Sequence, residues 1–170
     1  DEITVNEEYS EVIDIIPEDI PLDIYYEDEY LLVINKPSGM VVHPAAGNQE
    51  KTLVNALMFH CNNNLSTLNG EVRPGIVHRI DKDTSGLLVA CKNNKAHRNL
   101  AEQFKNKETT TRKYLAIVNG NIGHNLGKIN APIGRDPGNR QKMAVVEGGK
   151  ESVTHFKVLE RFKDHTLIEC

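Results

Sequence analysis

The apolar residues of this chain come in short runs cut by Pro, Gly and Asn, and one segment alone sustains helical spacing. Residues 31–34 (LLVI) and 40–42 (MVV) flank Pro37-Ser38-Gly39, a strand–turn–strand signal. Thr52 is placed to cap a helix carrying Leu53, Val54, Ala56 and Leu57. The Asn-rich residues 61–71 read as a loop, and 86–90 (GLLVA) as a buried strand. Ala96, Leu100 and Phe104 recur every four residues, which predicts an amphipathic helix over 94–106 with Lys95, Arg98 and Lys105 toward solvent. Residues 114–118 and 153–159 read as strands, and 166–170 begin another. Between them, Asn119-Gly120, Pro132, Gly134, Pro137-Gly138 and Gly148-Gly149 predict hairpins and exposed loops over 119–151. There is no internal repeat and no strict strand–helix alternation. The expected fold class is therefore α+β, a mixed, largely antiparallel sheet with flanking helices.

At 170 residues the chain can build one domain with a sizeable core and a short appendage. No run of about 18 apolar residues is present, and the acidic start at Asp1-Glu2 lacks a leader pattern. That start, without Met, reads as a cut end. Three cysteines (Cys61, Cys91, Cys170) without close pairing favour a reducing, cytoplasmic setting over a disulfide framework or zinc site. The net charge of -4 averages two unlike segments: residues 1–30 carry twelve acids and no Lys or Arg, and residues 31–170 are left at +8. Within 73–113 ten bases face four acids. Charge thus permits a polyanionic partner without demonstrating one, since a solvated mixed surface gives the same count.

The chemically dense stretch is 73–90, RPGIVHRIDKDTSGLLVA, a charged link between apolar segments. Asp81, Asp83, Ser85 and Gly86 fit the first half of a calcium loop, but Lys92 stands where a bidentate Glu is needed. The run Asp81-Lys82-Asp83-Thr84 is close to the nucleophile loop of an aspartyl phosphatase, yet Asp136 and Asp164 supply no later acidic pair for magnesium. The third reading is a resemblance. Residues 75–87 (GIVHRIDKDTSGL) resemble the signature of the RluA-type (RluD-like) pseudouridine synthases, with Ile80 for the usual Leu. Residues 35–44 (NKPSGMVVHP), 111–118 (TRKYLAIV), 133–136 (IGRD), 140–145 and 149–154 (GKESVT) follow the same family, collinearly over roughly 21–170.

The resemblance implies a pseudouridine synthase fold incomplete at its C-terminus. It divides the chain into residues 1–20, an acidic connector ending a small RNA-binding module, and 21–170, the N-terminal and central part of the catalytic domain. It implies isomerisation of uridine in structured RNA, most plausibly large-subunit ribosomal RNA, with tRNA the rival substrate. No redox cofactor or metal is required, because the reaction breaks and remakes a glycosidic bond without net oxidation, hydrolysis or group transfer. Asp81 is implied as the catalytic carboxylate, Tyr114 as the ring that stacks on the everted uracil, and Arg79 as the side chain that fills the vacated space or grips phosphate. Asp81 is expected in a closed cleft.

Arg73, Lys82, Arg112 and Lys113 are expected phosphate contacts, each with solvated surface charge as its bland alternative. His78 and His43 are read as hydrogen-bonded neighbours of the loop in preference to general bases. Asp83 and Thr84 are expected to shape it through local hydrogen bonds. The family's downstream arginine motif lies beyond Cys170, so activity of the chain by itself is not expected. A monomer that avoids membranes is expected. A non-catalytic RNA-binding protein of the same fold is the competing class.

Overall fold

The computed structural model describes residues 15–45, 47–70, 73–106 and 110–170. Residues 1–14 of the expected acidic connector lie outside the described residues. The chain divides into two compact units, Asp1–Thr110 and Thr111–Cys170.

The first unit is built on three antiparallel strands in the order β1 (Ile24–Glu27), β2 (Leu31–Lys36), β3 (Gly86–Cys91). Alternation along β2 sends Leu32, Ile34 and Lys36 inward. Leu88 and Ala90 of β3 face the same core, while Leu87 is exposed. Helix α1 (Leu53–His60) covers that face with Leu53, Val54, Ala56 and Leu57, all at most 1% exposed. Thr52 caps α1 as expected: its hydroxyl accepts from the Asn55 amide, and the Asn55 carbonyl oxygen accepts from the Thr52 amide. Truncating a fully buried Leu in such a core costs about 2–5 kcal/mol.

One strand expectation fails here. Residues 40–42 form no strand, because Val41 and Val42 give their carbonyls to the amides of Leu53 and Val54. Those are the orphan donors of the first turn of α1, and a helix start satisfied this way leaves no ladder. Helix α2 (Asn94–Lys105) begins at an Asn93 cap, with Lys95, Arg98 and Lys105 exposed as expected. Its most buried residue is His97, which the four-residue spacing does not select.

The second unit is a five-stranded antiparallel sheet ordered β4 (Leu115–Asn119), β8 (His165–Glu169), β7 (Lys150–Arg161), β5 (Leu126–Arg135), β6 (Met143–Val145). The turn-rich segment 119–151, expected as hairpins and loops, contains the β5–β6 hairpin, and its first strand runs for ten residues. Its ladder with β7 runs from Leu126↔Lys157 to Ile133↔Lys150. The glycine at 127 accommodates its cross-strand neighbour: a Cβ there would collide with the Phe156 ring.

Candidate active loop

The loop carrying Asp81 starts at Gly75, which has a φ of +72° and lies where a side chain would press on the Cys91 carbonyl at 3.0 Å. Gly75 donates to the Ser66 carbonyl, and its own carbonyl accepts from the Cys91 amide. A bridge pairs Ile76 with Ala90, and Ile76 and Ile80 are buried in the core. The alternation of apolar Ile76 and Ile80 with polar His78, Arg79 and Asp81 thus fastens the loop by one side and presents the other.

His78 is a further anchor. Its Nε2 accepts from the Val89 amide of β3 at 3.0 Å, and its ring lies 4.5 Å from that of Phe104 on α2. An Nε2 used as acceptor is unavailable as a base, so the expectation of a hydrogen-bonded neighbour is met. His43 differs: it is 5% exposed and its Nδ1 has no hydrogen-bond partner among the described residues. Burial, then the positive charges of Arg73 and Arg79, hold its pKa below the usual histidine value.

The far side of the loop is clamped by the 36–40 turn. Lys36, wholly buried at the end of β2, donates its Nζ to the carbonyls of Pro37 and Met40 at 2.8 Å and of Lys82 at 2.9 Å. The Gly39 amide donates to the same Lys82 carbonyl at 2.9 Å, and the Ser38 hydroxyl to the Asp83 carbonyl at 2.8 Å. Thr84 donates its amide to the Asp81 carbonyl, closing the turn. Asp83 and Thr84 therefore shape the loop through backbone groups. Burial lowers the Lys36 pKa, while the carboxylates of Asp83 and Asp81 pull it back up. Sequence reasoning missed Lys36, although its place two residues after Ile34 on an alternating strand marks it as inward-facing.

Asp81 itself is exposed, as are Arg73, Arg79 and Lys82. The described residues therefore do not enclose Asp81 in the closed cleft the resemblance implies, because the clamp acts on the backbone of the turn and leaves the carboxylate outside. Arg112, Lys113 and Tyr114 belong to the second unit, just before β4. Tyr114 extends the β4–β8 ladder through two backbone hydrogen bonds with Cys170 and is 42% exposed. Lys113 pairs with Glu169 at 3.2 Å on the surface. Arg73, Arg79, Asp81 and Lys82 thus share one loop of the first unit, and the other three share one strand entrance of the second. Among the described residues no group of three or more His, Cys, Asp or Glu gathers at metal-holding spacing.

A model of the RNA pseudouridylate synthase family matches residues 30–170. The chain belongs to that family. It is 59% identical, over its whole length, to an uncharacterized RNA pseudouridine synthase, YlyB, of Bacillus subtilis, and covers 55% of that protein. It is 56% identical over 156 residues to ribosomal large subunit pseudouridine synthase D of Zymomonas mobilis, covering 91% of this chain and 49% of the relative. The chain therefore spans about half the length of these curated relatives. Among solved structures, human RNA pseudouridylate synthase domain containing 1 superposes with a TM-score of 0.70 over 95% of this chain and 61% of its own, at 22% identity. Human RNA pseudouridylate synthase domain containing 4 gives 0.63 over 86% and 57%, at 26% identity. The α+β class and the RluA-type resemblance agree with these matches. No helix among the described residues is long and apolar enough to cross a membrane.

Proposed function

We propose that this family member forms part of an enzyme that isomerises uridine to pseudouridine in large-subunit ribosomal RNA, with Asp81 as its catalytic carboxylate. The observation that carries the reading is the clamped loop. The backbone on either side of Asp81 is fixed by Ile80, by the Thr84 amide and by the Lys36 and Gly39 bonds to Lys82, yet the carboxylate is left accessible. An acid that must meet a base everted from a large RNA has to be both immobile and reachable. Asp81 can act as nucleophile or base toward the nucleoside it meets, and neither role needs a metal. Tyr114 stacks on the everted uracil, Arg79 occupies the space it leaves, and Arg73, Lys82, Arg112 and Lys113 neutralise phosphates. The two units together form the catalytic domain of residues 21–170, following the acidic connector of 1–20. The protein works as a cytoplasmic monomer. Ribosomal RNA is preferred to tRNA because several relatives carry large-subunit names.

The test is release of tritium from RNA labelled at uracil carbon 5, using the full-length protein. Asp81→Ala is expected to abolish release while RNA affinity changes less than about tenfold. Undiminished release by that variant refutes the assignment. RNA binding without release by the unsubstituted protein favours the non-catalytic alternative.

A further inference from the structure

A polar cavity of about 470 Å³ opens beside the Asp81 turn, between the Gly39 turn, the 47–51 loop and Lys82. Its size is that of a site for a nucleotide-sized ligand, roughly 300–1,000 Å³. Asn48, Gln49, Glu50, Lys51 and Lys82 line it. The walls are built, not merely adjacent. Ala45 and Asn48 exchange two backbone hydrogen bonds at 2.8 and 3.0 Å, and Gly39 is bonded to Lys82. Lys51 has a φ of +56°, a conformation that suits glycine, and its amide donates to the Glu18 carboxylate at 2.8 Å. A residue other than glycine is uncommon in that conformation, and from it Lys51 lines the cavity. None of the ion pairs among the described residues involves Lys51 or Lys82.

We propose that this cavity is a subsite for a nucleotide flanking the reacting uridine, with Lys51 and Lys82 receiving its phosphate and Asn48 and Gln49 meeting its base. The inference rests on the isomerase reading for the identity of the reacting base, and it adds Lys51 and the 47–51 loop to the binding surface. Among the lining side chains two ammonium groups stand against the Glu50 carboxylate, with the Glu18 carboxylate held at the Lys51 amide, and amide side chains can both donate to and accept from a base edge. A ligand held there would be a sequence neighbour of the uridine over Asp81, because Lys82 belongs to both places.

The test compares the full-length protein with its Lys51→Gly variant. Affinity for a uridine-containing single-stranded RNA oligonucleotide is measured across salt concentration, beside the thermal midpoint. Glycine relieves the left-handed backbone, so the midpoint is expected to hold or rise. Affinity is expected to fall about five- to tenfold, with the salt dependence shallower by about one phosphate contact. An unchanged affinity and slope overturns the subsite, and so does weaker binding that appears only with a lowered midpoint. Tritium release by the unsubstituted protein is scored separately. Its absence defeats the isomerase reading, whereas an altered salt slope at Lys51 would still stand as RNA binding at this cavity.

Discussion

Lys36 shows how one side chain can set the position of another. Its three ammonium donors meet three carbonyls, and two of these belong to the 36–40 turn while the third belongs to Lys82 in the Asp81 loop. A buried cation is tolerable only when so fully bonded. Lys36→Met keeps much of the volume and removes the donors, leaving the Pro37 and Met40 carbonyls short of a partner. The expected loss is about 3 kcal/mol in chemical unfolding, within the range for breaking a buried polar network. Turnover of RNA is expected to fall further than RNA affinity, since the substitution frees the turn that places Asp81 and leaves the surface cations untouched. A variant as stable as the original, with normal turnover, would show that the clamp is dispensable.

At the scale of elements, helix α1 depends on its first turn. Thr52 is wholly buried and Asn55 is 1% exposed, so water cannot replace their reciprocal bonds. Thr52→Ala is expected to cost about 1–2 kcal/mol and to lower the thermal midpoint by about 2–8 °C, read by circular dichroism. A change below about 0.5 kcal/mol would mean that the Val41 and Val42 carbonyls carry the helix start alone. This cap was legible in the sequence because its signal is local, as were β2, β3, α2, β4 and β8. What escaped was decided at a distance. Residues 40–42 are as apolar as a strand, but their carbonyls serve α1. The β5 strand holds Gly127, Pro132 and Gly134, a composition that says turn, and its ladder with β7 overrides it. The site divides the same way. Asp81, Arg79 and His78 stood out through a contiguous motif, whereas Lys36 acts through carbonyls of separate segments and the role proposed for Lys51 depends on a cavity assembled from them. The exposure of Asp81 could not be read from a motif at all.

For the molecule as a whole, the titrating groups set a direction for its stability with pH. His43 and His97 both have pKa values lowered from 6.5, chiefly by burial, with Arg73 and Arg79 adding to the effect at His43. His97 Nδ1 lies 2.8 Å from the Ser66 hydroxyl, and its Nε2 has no partner among the described residues, which leaves a proton there nowhere to point. The native state thus binds fewer protons than the unfolded chain once pH falls through 6.5, and stability must decline as it does. The loss grows until pH has passed below the folded values of the two histidines, and then levels. Glu27, paired with Lys92 and His60, and Asp28, bonded to the Leu31 and Tyr30 amides, have lowered values too. Their contribution is present above their ordinary values of 4.5 and 3.8 and is lost in a later, more acidic window. Urea unfolding is therefore expected to give a lower stability at about pH 5.5 than at about pH 7.5, above the window in which the contribution of Glu27 and Asp28 is lost. His97→Phe removes one native-state group that resists protonation, so the slope across that interval is expected to diminish in the variant. A flat profile in the unsubstituted protein would mean that the buried imidazoles accept protons without penalty, and that the core around α2 admits water.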